Sequence, residues 1–576
     1  MDLVFDIETD DLKATKVWCI VAQDVDTNEI FKFPPSKLDE GVKLLQSADK
    51  LIGHNIIGFD IPMIQKFFDV DLNDKEILDT LVLSRLFNPT RDGGHSLEKW
   101  GYKLGFNKIE FEDYQNYSAE MLKYCVRDVQ LNTLVLKELK KEAKGFSKDS
   151  VCLEHHIADI MKQQERDGFK FHEMSANLLL AELRESMQSI EDEVHETFQP
   201  RWVDEKLVTP YIRKDGVLSK RGLTDDEYKR CLNTSNYEPF MRKTLQEFNL
   251  GSRKQIGEYL IDFGWKPDRF TPTGQPIVDE KTLSEITHIH EANLIAKFLL
   301  LQKRIAQIES WLEAVQEDGR VHGFVIPNGA ITGRMTHRNP NLAQVPSSSS
   351  PYGKECRSCW VVEEGNKLVG IDASGLELRM LAHYMNDKEF INEIINGDIH
   401  TSNQKLAKLK SRDKAKTFIY ALMYGAGDEK LGKVVGGNKA DGSRIRKHFF
   451  ANKPSFKSLR DRVQRAATKK YLKGLDGRKI YIRNAHASLN SLLQGAGAIV
   501  MKQALTLADK WATCNNIDYK FVANIHDEWQ VEVKEEYADF FGDMAVKSIV
   551  ESGKHFNLRC PLDGEYKVGG NWSETH

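Results

Sequence analysis

Nowhere in the 576-residue chain do about 18 apolar residues follow one another, so no membrane-spanning helix is expected. The N-terminus carries Asp2, Asp6, Glu8, Asp10 and Asp11 and lacks the basic and apolar regions of a secretion signal, so a cytoplasmic protein is expected. Cysteine is scarce, with eight scattered residues. The one close pair, Cys356 and Cys359, has neither a second such pair nor neighbouring histidines, which leaves a zinc or redox site unsupported. An excess of positive charge is also missing, since the formal net charge is −4, so the easy signature of a uniformly basic nucleic-acid-binding domain is absent.

What is present is a soluble, globular composition, 41% hydrophobic and 29% charged, in a chain too long for one core, so two or more domains are expected. Charge is unevenly spread. Lys405, Lys408, Lys410, Arg412, Lys414 and Lys416 form one basic run and the stretch from Lys457 to Arg483 another, while acids crowd both ends of the chain. A cleft with basic walls fits that distribution, although such runs also serve as solvated helix faces.

Residues 1–145 read as an α/β unit, with strand-like runs at Leu3 to Ile7 and Val17 to Gln23 and a closing helix from about Ser118 to Lys144. A long, polar helical stretch is expected from Leu153 to His195. From about 197 to 252 the pattern loosens around Pro200, Pro210, Gly216, Gly222 and Pro239, as in a loop-rich insertion. Helical periodicity returns from Arg253 to about Val315, and the remainder mixes strands and helices.

Alternation along Leu3-Val4-Phe5-Asp6-Ile7-Glu8 sends Asp6 and Glu8 to one face and Phe5 and Ile7 to the other. Two carboxylates so close repel unless a divalent cation offsets them. Asp60, at a helix start before Ile61 and Pro62, and Asp128, four residues after Tyr124 on the Ser118 helix, supply two further acids. Taken singly each acid has a bland reading, Asp60 as a helix cap above all. Together, four acids and a tyrosine suit two-metal phosphodiester hydrolysis, with Tyr124 orienting water.

A second set lies in the C-terminal half. The apolar run Leu368 to Ile371 ends in Asp372 and is followed by Gly375. Phe521 to Ile525 and Glu528 to Val533 read as two strands with His526 and Asp527 at their turn. Between them, Arg412, Lys416, Tyr420 and Tyr424 recur every four residues, placing two cations and two aromatics on one helical stripe that suits a nucleoside triphosphate. An ordinary amphipathic helix has the same spacing.

These segments carry a resemblance. Asp-x-Glu, the Asn55 to Asp60 segment and Tyr-x-x-x-Asp resemble the three motifs of DEDD-type proofreading 3′–5′ exonucleases. Asp372 to Arg379, Arg412 to Gly425 and His526-Asp527-Glu528 resemble motifs A, B and C of the family A DNA polymerases, with Thr332-Gly333-Arg334 and Asn341 to Pro346 matching the approach to the palm. Within that family the likeness is to the replicative enzymes of short-tailed phages.

The resemblance implies an α/β multi-domain chain: an RNase H-like exonuclease over 1–145, a thumb region over 146–325 with its insertion at about 197–252, and palm and fingers over 326–576, the fingers at about 388–485. It implies two Mg2+ ions per site, with Mn2+ able to substitute. Asp372 and Asp527, with Ala373, would hold those of the polymerase, and Glu528 stands beside them; Asp6, Glu8, Asp60 and Asp128 would hold those of the exonuclease. It further implies nucleotide contacts from Arg412, Lys416, Tyr420, His400 and Glu377, and DNA contacts from Tyr424, Arg334, Gln494 and His526. Expected partners are primer-template DNA and dNTPs, with a processivity factor such as thioredoxin at the insertion and a helicase or primase as further candidates, in the cytoplasm of a host bacterium. The rivals are an exonuclease with a non-catalytic nucleic-acid-binding C-terminal region and a non-enzymatic DNA-binding replication factor.

Overall fold

The computed structural model describes every residue from Met1 to His576 except residue 73. The chain divides into two compact units, one of Met1–His172 with Ala314–His576, the other Glu173–Glu313.

In the first unit, strand Asp2–Thr9 is central to a five-stranded sheet. It pairs antiparallel with Val17–Asp24 and parallel with Lys50–Gly53, while Ile30–Phe33 and Glu76–Asp79 form the edges. Alternation decides the layers: Leu3, Phe5 and Ile7 enter a core with Ile20, Leu51 and Ile64, while Val4 on the other face packs with Met121, Cys125 and Val129 of helix Ala119–Glu142. The Ser118 side chain caps that helix by accepting from the Met121 amide at 3.0 Å.

A second, four-stranded antiparallel sheet orders Tyr519–Ile525, Glu528–Lys534, Asn366–Ala373 and Gly564–Gly569. Helices Ser488–Cys514 and Ala538–His555 share one core with its apolar side chains Val369, Ile371, Trp529 and Val531. His526 and Asp527 form a two-residue turn between paired Ile525 and Glu528, with His526 at φ +61°, a conformation His tolerates better than most residues.

Within the same unit, helix Lys148–Asp167 carries Glu154, 0% exposed. Its carboxylate accepts from Lys502 Nζ at 2.7 and 2.9 Å and from Arg478 at 2.5 Å, and Arg478 also pairs with Asp476. A buried charge is tolerable when it is paired and hydrogen-bonded in this way.

The structure corrects one expectation of helical continuity. Leu153 to His195 is not continuous: the first helix ends at Asp167, Gly168 turns the chain at φ +63°, and Phe169–Lys170 pairs with Arg320–Val321 before helix Glu173–Thr197 starts. The 197–252 segment is more regular than expected. It holds the antiparallel strands Arg201–Val208 and Phe240–Gln246, and helix Asp225–Thr234 behind a Thr224–Glu227 capping box. Elsewhere in the second unit, Arg253–Asp262 and His290–Ala314 are helical. Among the described residues no helix is long and apolar enough to cross a membrane.

Candidate functional site: two acidic centres

The first centre gathers Asp6, Glu8, Asp60 and Asp128. Alternate positions of the first strand hold the first two on one face, and one ligand atom each of Asp6, Glu8 and Cys125 falls within 4.8 Å of the others. Asp60 opens helix Asp60–Phe68, yet it does not cap it: its Oδ1 accepts from the Ile7 amide at 3.1 Å, binding the Asp60 segment to the first strand. Asp79 steadies the same segment by accepting from the amides of Asn55 (2.9 Å) and Ile57 (3.2 Å).

Burial first, then the neighbouring carboxylates, pushes Asp6 well above the usual carboxylate range, and burial, then Cys19 and Asp128, pushes Glu8 up to about 9. Burial also raises Asp60 to about 7 and Asp128 above its ordinary value. Tyr124, one helical turn before Asp128, is likewise raised by burial and by that carboxylate. Lys108 is the cation found here, its Nζ 2.5 Å from Asp128 Oδ2 and 4.8 Å from the Tyr124 ring centre. Burial opposes its charge, but Asp128, Asp6 and Glu8 outweigh that and hold its pKa above the ordinary lysine value.

Asp128 is 4% exposed and its Oδ1 has no hydrogen-bond partner. Four hard oxygen donors, one of them a buried orphan, fit divalent cations of the magnesium and manganese type.

The second centre is built on the four-stranded sheet. Asp372 pairs across to Glu528, and the Ala373 amide donates to the Asp527 carbonyl at 3.1 Å, so backbone bonding joins the two predicted metal-holding segments. Burial, then Asp527 and Glu528, raise Asp372 to about 7; Asp527 is raised by burial against the opposing pull of Arg334 and His526. Two half-buried carboxylates for which ionisation is costly without a counter-charge are again a fit for divalent cations. Glu528 is bonded elsewhere, accepting from Trp572 Nε1 at 2.6 Å and Gln530 Nε2 at 2.8 Å and lying 3.6 Å from Arg357.

Helix Arg412–Met423 brings the stripe to this centre. The Tyr420 ring lies 6.3 Å from that of Tyr424 and 6.4 Å from that of His400. Glu377 ties two predicted contacts together, accepting from Tyr424 Oη at 2.7 Å and from Arg334 at 3.0 Å. Arg412, 51% exposed, pairs with Asp398 at 2.7 Å, and Lys416 is exposed. Arg334, His526 and Asp527 line one cavity with Lys502 and Asn524. Ala498 lines it too, and Gln494 lies one turn earlier on the same helix.

Sequence reasoning missed Lys108, Cys125 and Asp398. Asp398 could have been found, since it precedes Ile399–Ala407 as a capping residue accepting from the His400 and Thr401 amides. Lys108 lies in a segment without periodicity and gave no signal.

With this geometry in view, comparison with known proteins is decisive. The family model described as DNA polymerase family A matches residues 224–574. The DNA-directed DNA polymerase of Enterobacteria phage T3 is 34% identical over 703 residues, covering 100% of both chains. That of Escherichia phage T7 is 33% identical with the same coverage. A solved structure, the POL domain of Pol1 from M. smegmatis in complex with DNA primer-template and dNTP, superposes with a TM-score of 0.79 at 17% identity over 100% of this chain and 95% of the other, a likeness of fold. The chain therefore belongs to DNA polymerase family A.

Proposed function

We propose that this DNA-directed polymerase extends a primer on a DNA template at the Asp372–Asp527 centre and removes 3′-terminal nucleotides at the Asp6–Asp128 centre. The observation that carries the reading is the presence of two separate sets of carboxylates, each pushed upward by burial and by its own neighbours, on the two sheets. In this reading residues 1–145 are the exonuclease and 326–576 the palm and fingers.

Family A polymerases work with divalent metal ions. We take these to be two Mg2+ per centre, with Asp372, Asp527 and Ala373 as the polymerase holders and Asp6, Glu8, Asp60 and Asp128 as those of the exonuclease. Such ions lower the pKa of the attacking oxygen and stabilise the leaving one. The chain's own groups do the rest. Arg412, Lys416 and His400 neutralise and orient the triphosphate, which must draw Arg412 away from Asp398. Tyr420 packs against the sugar, and Glu377, steadied by Arg334 and Tyr424, borders the position of the 2′ carbon. Arg334, Gln494 and His526 face the primer-template, gripping shape and backbone while base pairing supplies the sequence.

At the exonuclease centre Tyr124 positions water beside Asp128. The paired strands of the 197–252 insertion expose Trp202, Leu207, Met241 and Leu245, an apolar surface suited to a processivity factor of the thioredoxin kind. The exonuclease-only rival is disfavoured by the intact Asp372, Asp527 and cationic stripe.

One labelled primer-template tests the proposal. Asp372→Ala is expected to abolish synthesis while leaving degradation, and Asp6→Ala the reverse. Loss of both activities in either variant would overturn the assignment to two centres.

A further inference from the structure

Lys108 belongs to no step of the chemistry just described, yet it is the cation of the Asp6 cluster. It sits between helices Leu97–Leu104 and Ala119–Glu142 on a segment with little regular structure, so it can move without unfolding a helix. Its Nζ lies 2.5 Å from Asp128 Oδ2 and over the Tyr124 ring, while Asp128 Oδ1 stays buried without a partner.

One ammonium cannot offset four carboxylates, so ionising the whole cluster needs positive charge from elsewhere. It also stands on an oxygen of a residue expected to hold a divalent ion. An ammonium and a metal ion on one carboxylate edge repel each other, so the two compete.

Resting on the exonuclease reading above, we propose that Lys108 is an internal counter-cation that keeps the place of a divalent ion at Asp128 and leaves when that ion binds. The released ammonium then needs another anion, and the phosphate of an incoming DNA end supplies one. Metal loading and strand-end binding thereby become cooperative, because each relieves the charge the other exposes. A consequence is that the exonuclease centre fills at higher metal concentration than it would without the lysine.

The test counts Mn2+ bound to the full chain by electron paramagnetic resonance, in an Asp372→Ala background that weakens the polymerase centre, with and without a short single-stranded oligonucleotide. Lys108→Met is expected to bind Mn2+ at the Asp6 cluster about tenfold more tightly than its parent without DNA, and to lose most of the gain that DNA gives the parent. Lys108→Arg, which keeps the charge, is expected to follow the parent and so separates charge from misfolding. Equal Mn2+ affinity of Lys108→Met and parent, or equal tightening by Lys108→Arg, would overturn the proposal. Asp6→Ala in the same background separates the two levels: if it removes no Mn2+ at all, the exonuclease reading itself fails, whereas its loss of Mn2+ beside an unaffected Lys108→Met sinks the counter-cation alone.

Discussion

Glu154 and the Asp6 cluster are both buried acidic sites in one compact unit, and they solve the problem of buried charge in opposite ways. Glu154 is met by Lys502 and Arg478, so protein groups offset its charge and nothing further is required. In the Asp6 cluster Lys108 pairs with Asp128, and the other Asp128 oxygen is left over. In the proposed reading the difference separates structure from function on physical grounds: a balanced buried acid holds the fold together, and an unbalanced one is a candidate ligand site. The Asp372–Asp527 pair belongs with the second kind, because burial and mutual repulsion leave Asp372 raised to about 7.

The sharpest way to break that comparison is to delete one acid from each site and measure unfolding. Glu154→Ala leaves Lys502 buried without a carboxylate and Arg478 with Asp476 only, and is expected to cost about 3–5 kcal/mol. Asp6→Ala relieves repulsion and is expected to stabilise the metal-free chain at pH 8 by about 1–2 kcal/mol. Equal destabilisation by both, read from denaturant midpoints, would erase the distinction.

A smaller effect should follow pH. Glu8 at about 9 and Asp60 and Asp372 at about 7 lie above their ordinary values of 4.5, 3.8 and 3.8. Each therefore binds its proton more tightly in the folded than in the unfolded chain. Its contribution is full below the ordinary value and is lost as pH rises through the folded one. The melting temperature of the metal-free protein is expected to fall between pH 5 and pH 9, and added Mg2+ is expected to recover more of it at pH 9 than at pH 5. A melting temperature that climbs across this range would contradict the charge balance described for both centres.

Much of each centre was legible in the sequence where the signal is local. Strand alternation placed Asp6 and Glu8 on one face, the four-residue spacing placed Arg412, Lys416, Tyr420 and Tyr424 on one stripe, and a polar dipeptide between two strand-like segments placed Asp527 at a hairpin turn. What stayed hidden depends on contacts distant in sequence. Asp60 binding the Ile7 amide and Glu154 meeting Arg478 and Lys502 are pairings that no periodicity encodes. The break at Gly168 was missed because one glycine among helix-forming residues does not by itself announce a strand. The paired strands within 197–252 were missed because both of their faces are largely exposed, so the apolar alternation of a half-buried strand is weak.

The most direct measurement is anomalous diffraction from crystals of the full chain with Mn2+, primer-template and a non-hydrolysable nucleotide. The expected result is manganese density between Asp372 and Asp527 and, in the same crystals, separate density among Asp6, Glu8, Asp60 and Asp128. Density at neither set of carboxylates, or at a place that touches none of these six residues, would contradict the assignment of both centres.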